Sequence, residues 1–547
     1  MPGDGTRRAL RAVPHRGGVT AALRLPRHGA TVAALTVIAF ALRLGAGLAQ
    51  HAIVPEYAAY YATVADQAAA GHGLTVPYAW SYLTPAVSTG LSLPRPAFDV
   101  WLPAASLVTV PLVWLVGGVL ASRVGGALAG AALVPLVAML AARTARAAGR
   151  DERDAEATAL VAAGLVAVAQ PLVTGSIASD SQALFGVTVL GGVLACERAL
   201  RTGRLRDLAL AGLVLGAGML TRNETLYLLA AVAAVTVAAT PGSRTQRLGR
   251  AAVLVGVAAA CYAPWAVRQQ LTFGTAFPDQ TAANAFSISP NDIFGWSAPR
   301  PGLATYLAVG PAELLAERLE ALRHNLIDVL VLPALPWSLA GLAGAALLWR
   351  ARPLRLLLAT AVLTFLADTL VFPVATLYGT FLHGSAPVLA LLAIGAADVA
   401  VRVGRRATAR RGGAELAALA AAGVAVWCLL ATSFGAADYA AWANGIAAQY
   451  RALADGLASS VGPRAVVIAS HPSWVWRESG YPAVVLPDED APSVLSLAEA
   501  YGATVVVVDG VDGPWPAAAA TTPCLVPLEL PAAASPLTAF EVTCTGP

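Results

Sequence analysis

WLPAASLVTVPLVWLVGGVL, residues 101–120, is apolar enough and long enough to cross a bilayer. Whether it does so decides the topology of everything that follows. Apolar runs of spanning length recur at about 31–50, 122–143, 155–174, 182–200, 207–221, 224–240, 249–267, 326–349, 354–374, 382–401 and 415–434. Arginines crowd alternate connections. They stand at Arg143, Arg146, Arg150 and Arg153; at Arg198, Arg201, Arg204 and Arg206; at Arg244, Arg247 and Arg250; at Arg350, Arg352 and Arg355; and at Arg402, Arg405, Arg406, Arg410 and Arg411. The positive-inside rule assigns all five clusters to the cytoplasm. If 101–120 spanned, Arg143 to Arg153 would face outward and every later cluster would invert. The stretch therefore reads as an interfacial or re-entrant helix on the outer face. Pro103 and Pro111 suit a broken segment packed against protein. The expectation is an α-helical polytopic membrane protein with about eleven transmembrane helices, the N-terminus inside and the C-terminus outside.

Composition agrees with this reading. Of 547 residues, 57% are hydrophobic and 12% charged, against about 25% charged in a soluble domain. That excludes a soluble enzyme, a disordered chain and a nucleic-acid binder. The net charge is +4, and all 36 basic residues are arginine, which reads as the coding bias of a GC-rich genome. Residues 1–30 form a basic cytoplasmic N-terminus carrying Arg7, Arg8, Arg11, Arg16, Arg24 and Arg27. The run Thr31–Gln50 is too long for a cleavable signal.

The membrane domain covers 31–434, with large outer loops at 51–121 and 268–325. The second loop holds amphipathic pieces such as PAELLAERLEALRHNL (311–326). The tail, 435–547, reads as helix (438–460), strand (465–470), a Trp- and Pro-rich loop, helix (493–501), strand (504–509) and an irregular end. That is a small extracytoplasmic α/β domain. Cys196, Cys261 and Cys428 fall in apolar runs, as core residues do. Cys524 and Cys544 lie outside them, and an outward tail would let them form a disulfide. No Cys/His metal spacing occurs, so the motifs name no metal ligand and no cofactor, and they leave a metal requirement undecided; no Gly-rich nucleotide loop follows a strand, which argues against a cytoplasmic nucleotide enzyme.

Candidate chemistry gathers on the outer side. The first loop contains PEYAAYYATVADQAAAGHGL (55–74) and SLPRPAFDVWLP (92–103), with Glu56, Asp66 and Asp99 among Tyr57, Tyr60, Tyr61, Tyr78, Trp80, Tyr82 and Trp101. Acids among aromatic rings resemble a sugar platform, although an interfacial belt has the same composition. In SIASDSQALF (176–185), Asp180 is placed to cap the next helix and to face a cavity. In AGMLTRNETLYLL (217–229), Arg222 and Glu224 interrupt an apolar hairpin, either as a pair at a tight turn or with Arg222 binding an anion. Arg95, Arg123 and Arg268 are further outer cations suited to phosphate. His383, in TLYGTFLHGSAP (376–387), sits beside Tyr378 as a packing residue or a ligand.

The order of these motifs is similar to that of membrane glycosyltransferases of the GT-C fold, family 39, which includes protein O-mannosyltransferases and lipid A aminoarabinose transferases. The resemblance covers about residues 31–400. It rests on Arg95-Pro96, on Arg123 in ASRVGGALAG (121–130), on Asp180, on Arg222 in LGAGMLTRNE (215–224), and on Trp265 and Arg268 in APWAVRQQLTFG (263–274). Where the family has an acidic pair before a tyrosine, this chain has Pro55-Glu56 ahead of Tyr60 and Tyr61. The resemblance implies a polyprenyl-phosphate sugar donor, a glycan, lipid or protein acceptor, and an inverting displacement at the outer face of the cell membrane. It implies Glu56 as the proton-accepting carboxylate, with Asp66 and Asp99 as alternatives and Asp180 as a second acid. Arg95, Arg222 and Arg268 are the phosphate-holding candidates, and Arg123, Glu224 and His383 complete the cavity. The competing expectation is a lipid or solute transporter, or a non-catalytic envelope-assembly protein, which Asp368 inside 354–374 would suit. Convergence of Glu56 or Asp66 with Asp180 and Arg222 on one cavity separates the two.

Overall fold

A computed structural model describes residues 29–81, 92–277, 280–295, 301–409, 413–486, 490–510 and 515–544. The basic stretch 1–28 lies outside them. The chain opens with α1 (Gly29–Leu48), then α2 (Glu56–Ala69) in the first loop. Next come α3 (Ala104–Val116) and α4 (Gly118–Ala147). Gly117 stands between them with φ 84° and ψ 163°, a conformation that only glycine adopts easily, so the 101–120 stretch breaks instead of feeding straight into the next helix. On α3, Trp114 and Leu115 are 69% and 76% exposed. The Trp114 indole donates to Ala69 O at 3.1 Å, tying α3 to the end of α2.

The bundle continues with α5 (Glu152–Val168), α6 (Gln170–Thr174), α7 (Ser181–Thr202), α8 (Leu205–Met219), α9 (Thr225–Ala239) and α10 (Arg244–Phe273). Helix α10 extends past the expected end at 267, so Arg268 is a helical residue and not a loop residue. Short pieces follow: α11 (Gln280–Ala283), α12 (Pro290–Phe294), α13 (Leu303–Ala308) and α14 (Pro311–Arg323). A π-helical turn at His324–Val331 joins α14 to α15 (Trp337–Leu348), with a bend of 111°. The expected single helix over 326–349 is therefore broken, at a segment containing Pro333 and Pro336 that cannot sustain a regular ladder. Then come α16 (Arg352–Leu370), α17 (Pro373–Leu377), α18 (Thr380–Gly384), α19 (Ala386–Thr408) and α20 (Gly413–Ser460).

Among the described residues, seven helices are long and apolar enough to cross a membrane, or eight if the bent pair is one span. Helices α5, α8 and α9, also expected to span, have 17, 15 and 15 residues. Helices α15 and α19 meet backbone to backbone. A Cβ on Gly344 would come within 2.0 Å of Gly395 O, and one on Gly341 within 2.5 Å of Leu392 O, so small residues make this seam. At one end of the bundle the arginine clusters pair across connections. Arg143 meets Glu197 at 2.7 Å, Arg150 meets Asp398 at 3.0 Å, Arg198 meets Asp207 at 3.1 Å and Arg405 meets Asp151 at 3.0 Å.

The boundary expected at 434/435 falls inside α20, which runs unbroken through Gly435. Gln170 packs against the bare face of that glycine. Beyond α20 lies a mixed sheet. Its strands are β2 (Tyr78–Ala79), β4 (Val466–Ala469), β5 (Ala483–Val485), β6 (Ala503–Val508), β7 (Leu525–Leu528) and β8 (Thr538–Val542), while β1 (Thr75–Val76) and β3 (Arg95–Pro96) form a separate ribbon. The order is β2-β5-β4-β6-β8-β7, with β2, β5, β4 and β6 mutually parallel and β8 antiparallel to both of its neighbours, β6 and β7. Strand β6, ATVVVV, is apolar on both faces because the sheet is covered on both. Strand β2 comes from the first outer loop, so that loop and the tail share one sheet. Helices α21 (Pro472–Ser479), α22 (Ala491–Tyr501) and α23 (Trp515–Thr521) flank it. Cys524 and Cys544 form a disulfide, with Cα atoms 5.1 Å apart, in the part expected to be irregular.

Candidate active site

Asp180 ends a loop that the packing leaves no freedom. On α4, Gly125 and Gly126 have no side chain, and a Cβ there would come within 2.4 Å of Ser179 Oγ and 2.3 Å of Ala178 O. Ser179 N–H donates to Ser122 Oγ at 3.1 Å, and Thr109 Oγ1 donates to Ser179 Oγ at 2.7 Å. One turn earlier, Arg43 of α1 is fully buried. It donates to Val166 O and Ala167 O, each at 2.9 Å, and to Ser176 Oγ at 2.9 Å. Those carbonyls are orphaned where α5 breaks before α6, and a guanidinium satisfies several at once. Asp180 then caps α7, accepting from Ser181 N–H through Oδ1.

Oδ2 of Asp180 lies 3.0 Å from Nδ1 of His383 on α18. Tyr57, the second residue of α2, sets its ring edge-on to His383 at 4.0 Å. Burial alone would raise the Asp180 carboxyl, but His383, the Ser181 N–H and the Arg222 charge hold it below the usual carboxylate range. Arg222, in the turn between α8 and α9, bonds Glu224 through Nε at 2.9 Å and also through Nη2. It donates to Thr380 O at 3.0 Å and approaches Ser181 Oγ at 3.5 Å. The expected pair at a tight turn is present, and the paired guanidinium also lines a cavity.

Two cavities meet at this cluster. One of about 320 Å³ is lined by Asp180, Tyr57, Gln182, Gln170 and Tyr439. The other, of about 160 Å³, is lined by Arg222, Glu224, His383, Tyr61 and Trp101. Tyr57 lines both. Asp368, buried in α16, belongs to the same cluster. Its Oδ2 and Glu224 Oε1 both lie within 3.5 Å of the Cβ position of Gly384. Among the described residues, no group of three or more His, Cys, Asp and Glu side chains is arranged to hold a metal ion.

The other expected residues stand elsewhere. Glu56 turns to the tail: its carboxylate lies 3.0 Å from His471 Nδ1 and accepts from Ser473 Oγ. Burial raises the Glu56 carboxyl, against those two partners. Asp66 lies 3.3 Å from Arg477 and rests on Gly118, where a Cβ would come within 2.8 Å of its Oδ1. Arg95 pairs with Asp99 at 2.9 Å beside a hollow of about 20 Å³. Arg268 lies over Trp265 and Phe273, at 5.0 and 5.1 Å. Arg123 is buried and caps the chain after α1, donating to Gln50 O at 2.6 Å and Ala52 O at 3.2 Å. Of the expected acids and cations, Asp180, Arg222, Glu224 and His383 line the paired cavities, and Glu56, Asp66, Asp99, Arg95, Arg123 and Arg268 do not, so the expected convergence is met by Asp180 and Arg222 but not by Glu56 or Asp66, which the tail holds elsewhere.

Sequence reasoning missed the partners of Glu56 and Asp66. His471, Ser473 and Arg477 border or occupy α21, which was expected to be a Trp- and Pro-rich loop. Pro472 at the first helical position was the available signal. Trp474 of α21 also donates to Val54 O at 2.6 Å, so the tail grips the start of α2.

Comparison with known proteins extends these findings. Residues 152–267, from α5 into α10 and including Asp180 and Arg222, match the family described as dolichyl-phosphate-mannose-protein mannosyltransferase. No curated protein sequence matches the chain. The fold is similar to that of ArnT from Cupriavidus metallidurans bound to undecaprenyl phosphate, with 14% identity, TM-score 0.55, and coverage of 94% of this chain and 99% of that one. It is also similar to the Archaeoglobus fulgidus oligosaccharyltransferase complexed with zinc and sulfate, with 15% identity, TM-score 0.53, and coverage of 90% and 70%. The architecture is thus the GT-C fold of membrane glycosyltransferases.

Proposed function

We propose that this protein transfers a sugar from a polyprenyl-phosphate donor to a hydroxyl of an extracytoplasmic glycan, lipid or protein, by a single inverting displacement. The observation that carries the reading is one cluster holding an acid–imidazole pair and a guanidinium at the meeting of two cavities. The match of residues 152–267 to a mannosyltransferase family supports it, as does a similar fold that binds undecaprenyl phosphate.

In the reaction, the acceptor oxygen attacks the anomeric carbon opposite the phosphate. The bond from that carbon to the phosphate oxygen breaks, and its electron pair leaves with the phosphate. Arg222, oriented by Glu224 and Thr380 O, stabilises that developing charge. The acceptor proton leaves toward Asp180 and His383. Glu56 and Asp66 hold the first-loop helix, and with it Tyr57, against the tail. With the arginine-rich end cytoplasmic, the cluster of Asp180, His383 and Arg222 stands toward the opposite face, within reach of a lipid-borne sugar.

The test is transfer of labelled sugar from polyprenyl-phosphate donors by purified protein. Arg222→Ala is expected to lower kcat/KM by about 10²-fold or more, as loss of one transition-state donor does. Absence of transfer from any such donor overturns the reading.

A further inference from the structure

We infer that Nε2 of His383 is the atom that takes the acceptor's proton, and that Asp180 is the positioning residue that fixes the imidazole for it. This rests on the glycosyl-transfer reading and deepens it. The smaller cavity, which holds Arg222, is lined by five other titratable side chains: Tyr57, Tyr61, Glu224, Tyr378 and His383. Glu224 is committed to Arg222 through two of its nitrogens. Tyrosine hydroxyls do not accept protons at neutral pH, whereas imidazole exchanges one there readily. His383 is the group left.

Its geometry suits the task. Nδ1 lies 3.0 Å from Asp180 Oδ2. An ionised carboxylate there selects the tautomer with the proton on Nδ1 and the lone pair on Nε2. The Tyr57 ring, edge-on at 4.0 Å, holds the imidazole plane. Gly379, with φ 106°, stands over the other nitrogen, where a Cβ would come within 3.3 Å of Nε2. Gly379 and His383 both line the smaller cavity, and glycine at 379 keeps a side chain out of the space beside Nε2. Asp180 is already engaged, through Oδ1 by the α7 N-terminus and through Oδ2 by His383.

In the step, the acceptor O–H bond breaks as the new bond to the anomeric carbon forms. The proton passes to Nε2, giving an imidazolium whose charge Asp180 balances. The phosphate departs with its electron pair toward Arg222. The imidazolium returns its proton to water after product release. The charged and titratable groups around His383 are Asp180 from the start of α7, Tyr57 from α2, Arg222 and Glu224 from the α8–α9 turn, Asp368 from α16, and Tyr378 beside α18.

The experiment compares His383→Gln, Gly379→Ala and wild type in the same transfer assay across pH, with donor-lipid binding and monodispersity as checks on folding. His383→Gln is expected to lower kcat by about 10²–10⁴-fold, to leave donor binding near wild type, and to abolish the fall in rate at acid pH. Gly379→Ala is expected to lower kcat less. Nitrogen NMR of histidine-labelled protein is expected to show Nε2 unprotonated, and this is to be lost in Asp180→Asn. Near-normal turnover in His383→Gln, or an unchanged acid limb, overturns the inference while leaving the glycosyltransferase reading intact. So does a wild-type His383 protonated on Nε2 at neutral pH. A wild type with the expected tautomer but no transfer from any lipid-phosphate sugar overturns the function itself, and the assignment falls with it.

Discussion

Glu56, half-buried, and Asp180, buried, are carboxylates whose surroundings push them in opposite directions. Asp180 receives a helix N-terminus, an imidazole and a nearby guanidinium, all favouring its charge. Glu56 is dominated by burial, which disfavours charge. Its raised pKa means the folded state holds its proton more tightly than the unfolded chain does. That contribution to stability is complete below the unfolded value of about 4.3 and is lost as pH rises through the folded value. Glu56→Gln cannot titrate, so the variant is expected to lose less thermal stability than wild type between about pH 4 and pH 7. Thermal unfolding of detergent-purified protein over that range checks this. In turnover the two acids are expected to separate as well. Asp180→Asn should lose about 10²–10⁴-fold, while Glu56→Gln retains most activity. The reverse ranking would return the base to Glu56, where the family resemblance had it.

At the scale of elements, breaks in helices do the positioning. Gly117 turns α3 away from α4. A Cβ at this φ and ψ costs about 1–3 kcal/mol, so Gly117→Ala is expected to lower thermal stability by that order. It should also disturb the Asp180 loop, because Thr109 of α3 holds Ser179. A variant as stable as wild type would show that α3 and α4 are not held at this angle by the glycine. The interruption between α5 and α6 works similarly, since its freed carbonyls explain why Arg43 lies in the middle of an apolar helix. Arg43 is the one charged residue of the run 31–50. Its partners come from residues 166–176, more than a hundred positions away in sequence, and only packing brings them together.

For the whole molecule, the pairing of arginine-rich connections at one end and the gathering of Asp180, His383 and Arg222 elsewhere give the bundle two chemically distinct regions. Reporter fusions at residue 150 and at residue 510 are expected to report cytoplasm and exterior respectively. Equal location would overturn the parity argument from residues 101–120. The tail and the first loop pack as one unit at this scale, because β2 of the first loop completes the tail's sheet and Trp474 of α21 donates to Val54 O just before α2.

By itself the sequence determined the helical membrane architecture, the break near 101–120 and the identity of Asp180, Arg222, Glu224 and His383 as residues of interest. Those signals are local: apolar length, arginine asymmetry, and ionisable residues at the ends of apolar runs, each readable within a few turns of helix. Only the tertiary structure decided which acid faces a cavity. Glu56 and Tyr57 are adjacent in sequence, yet a helix turns successive side chains by about 100°. Tyr57 therefore lines both cavities while Glu56 meets His471 and Ser473 of the tail. Nothing within the first loop encodes that choice. It is made by α21, more than four hundred residues downstream, whose hydrogen-bonding groups satisfy the Glu56 carboxylate when the tail docks.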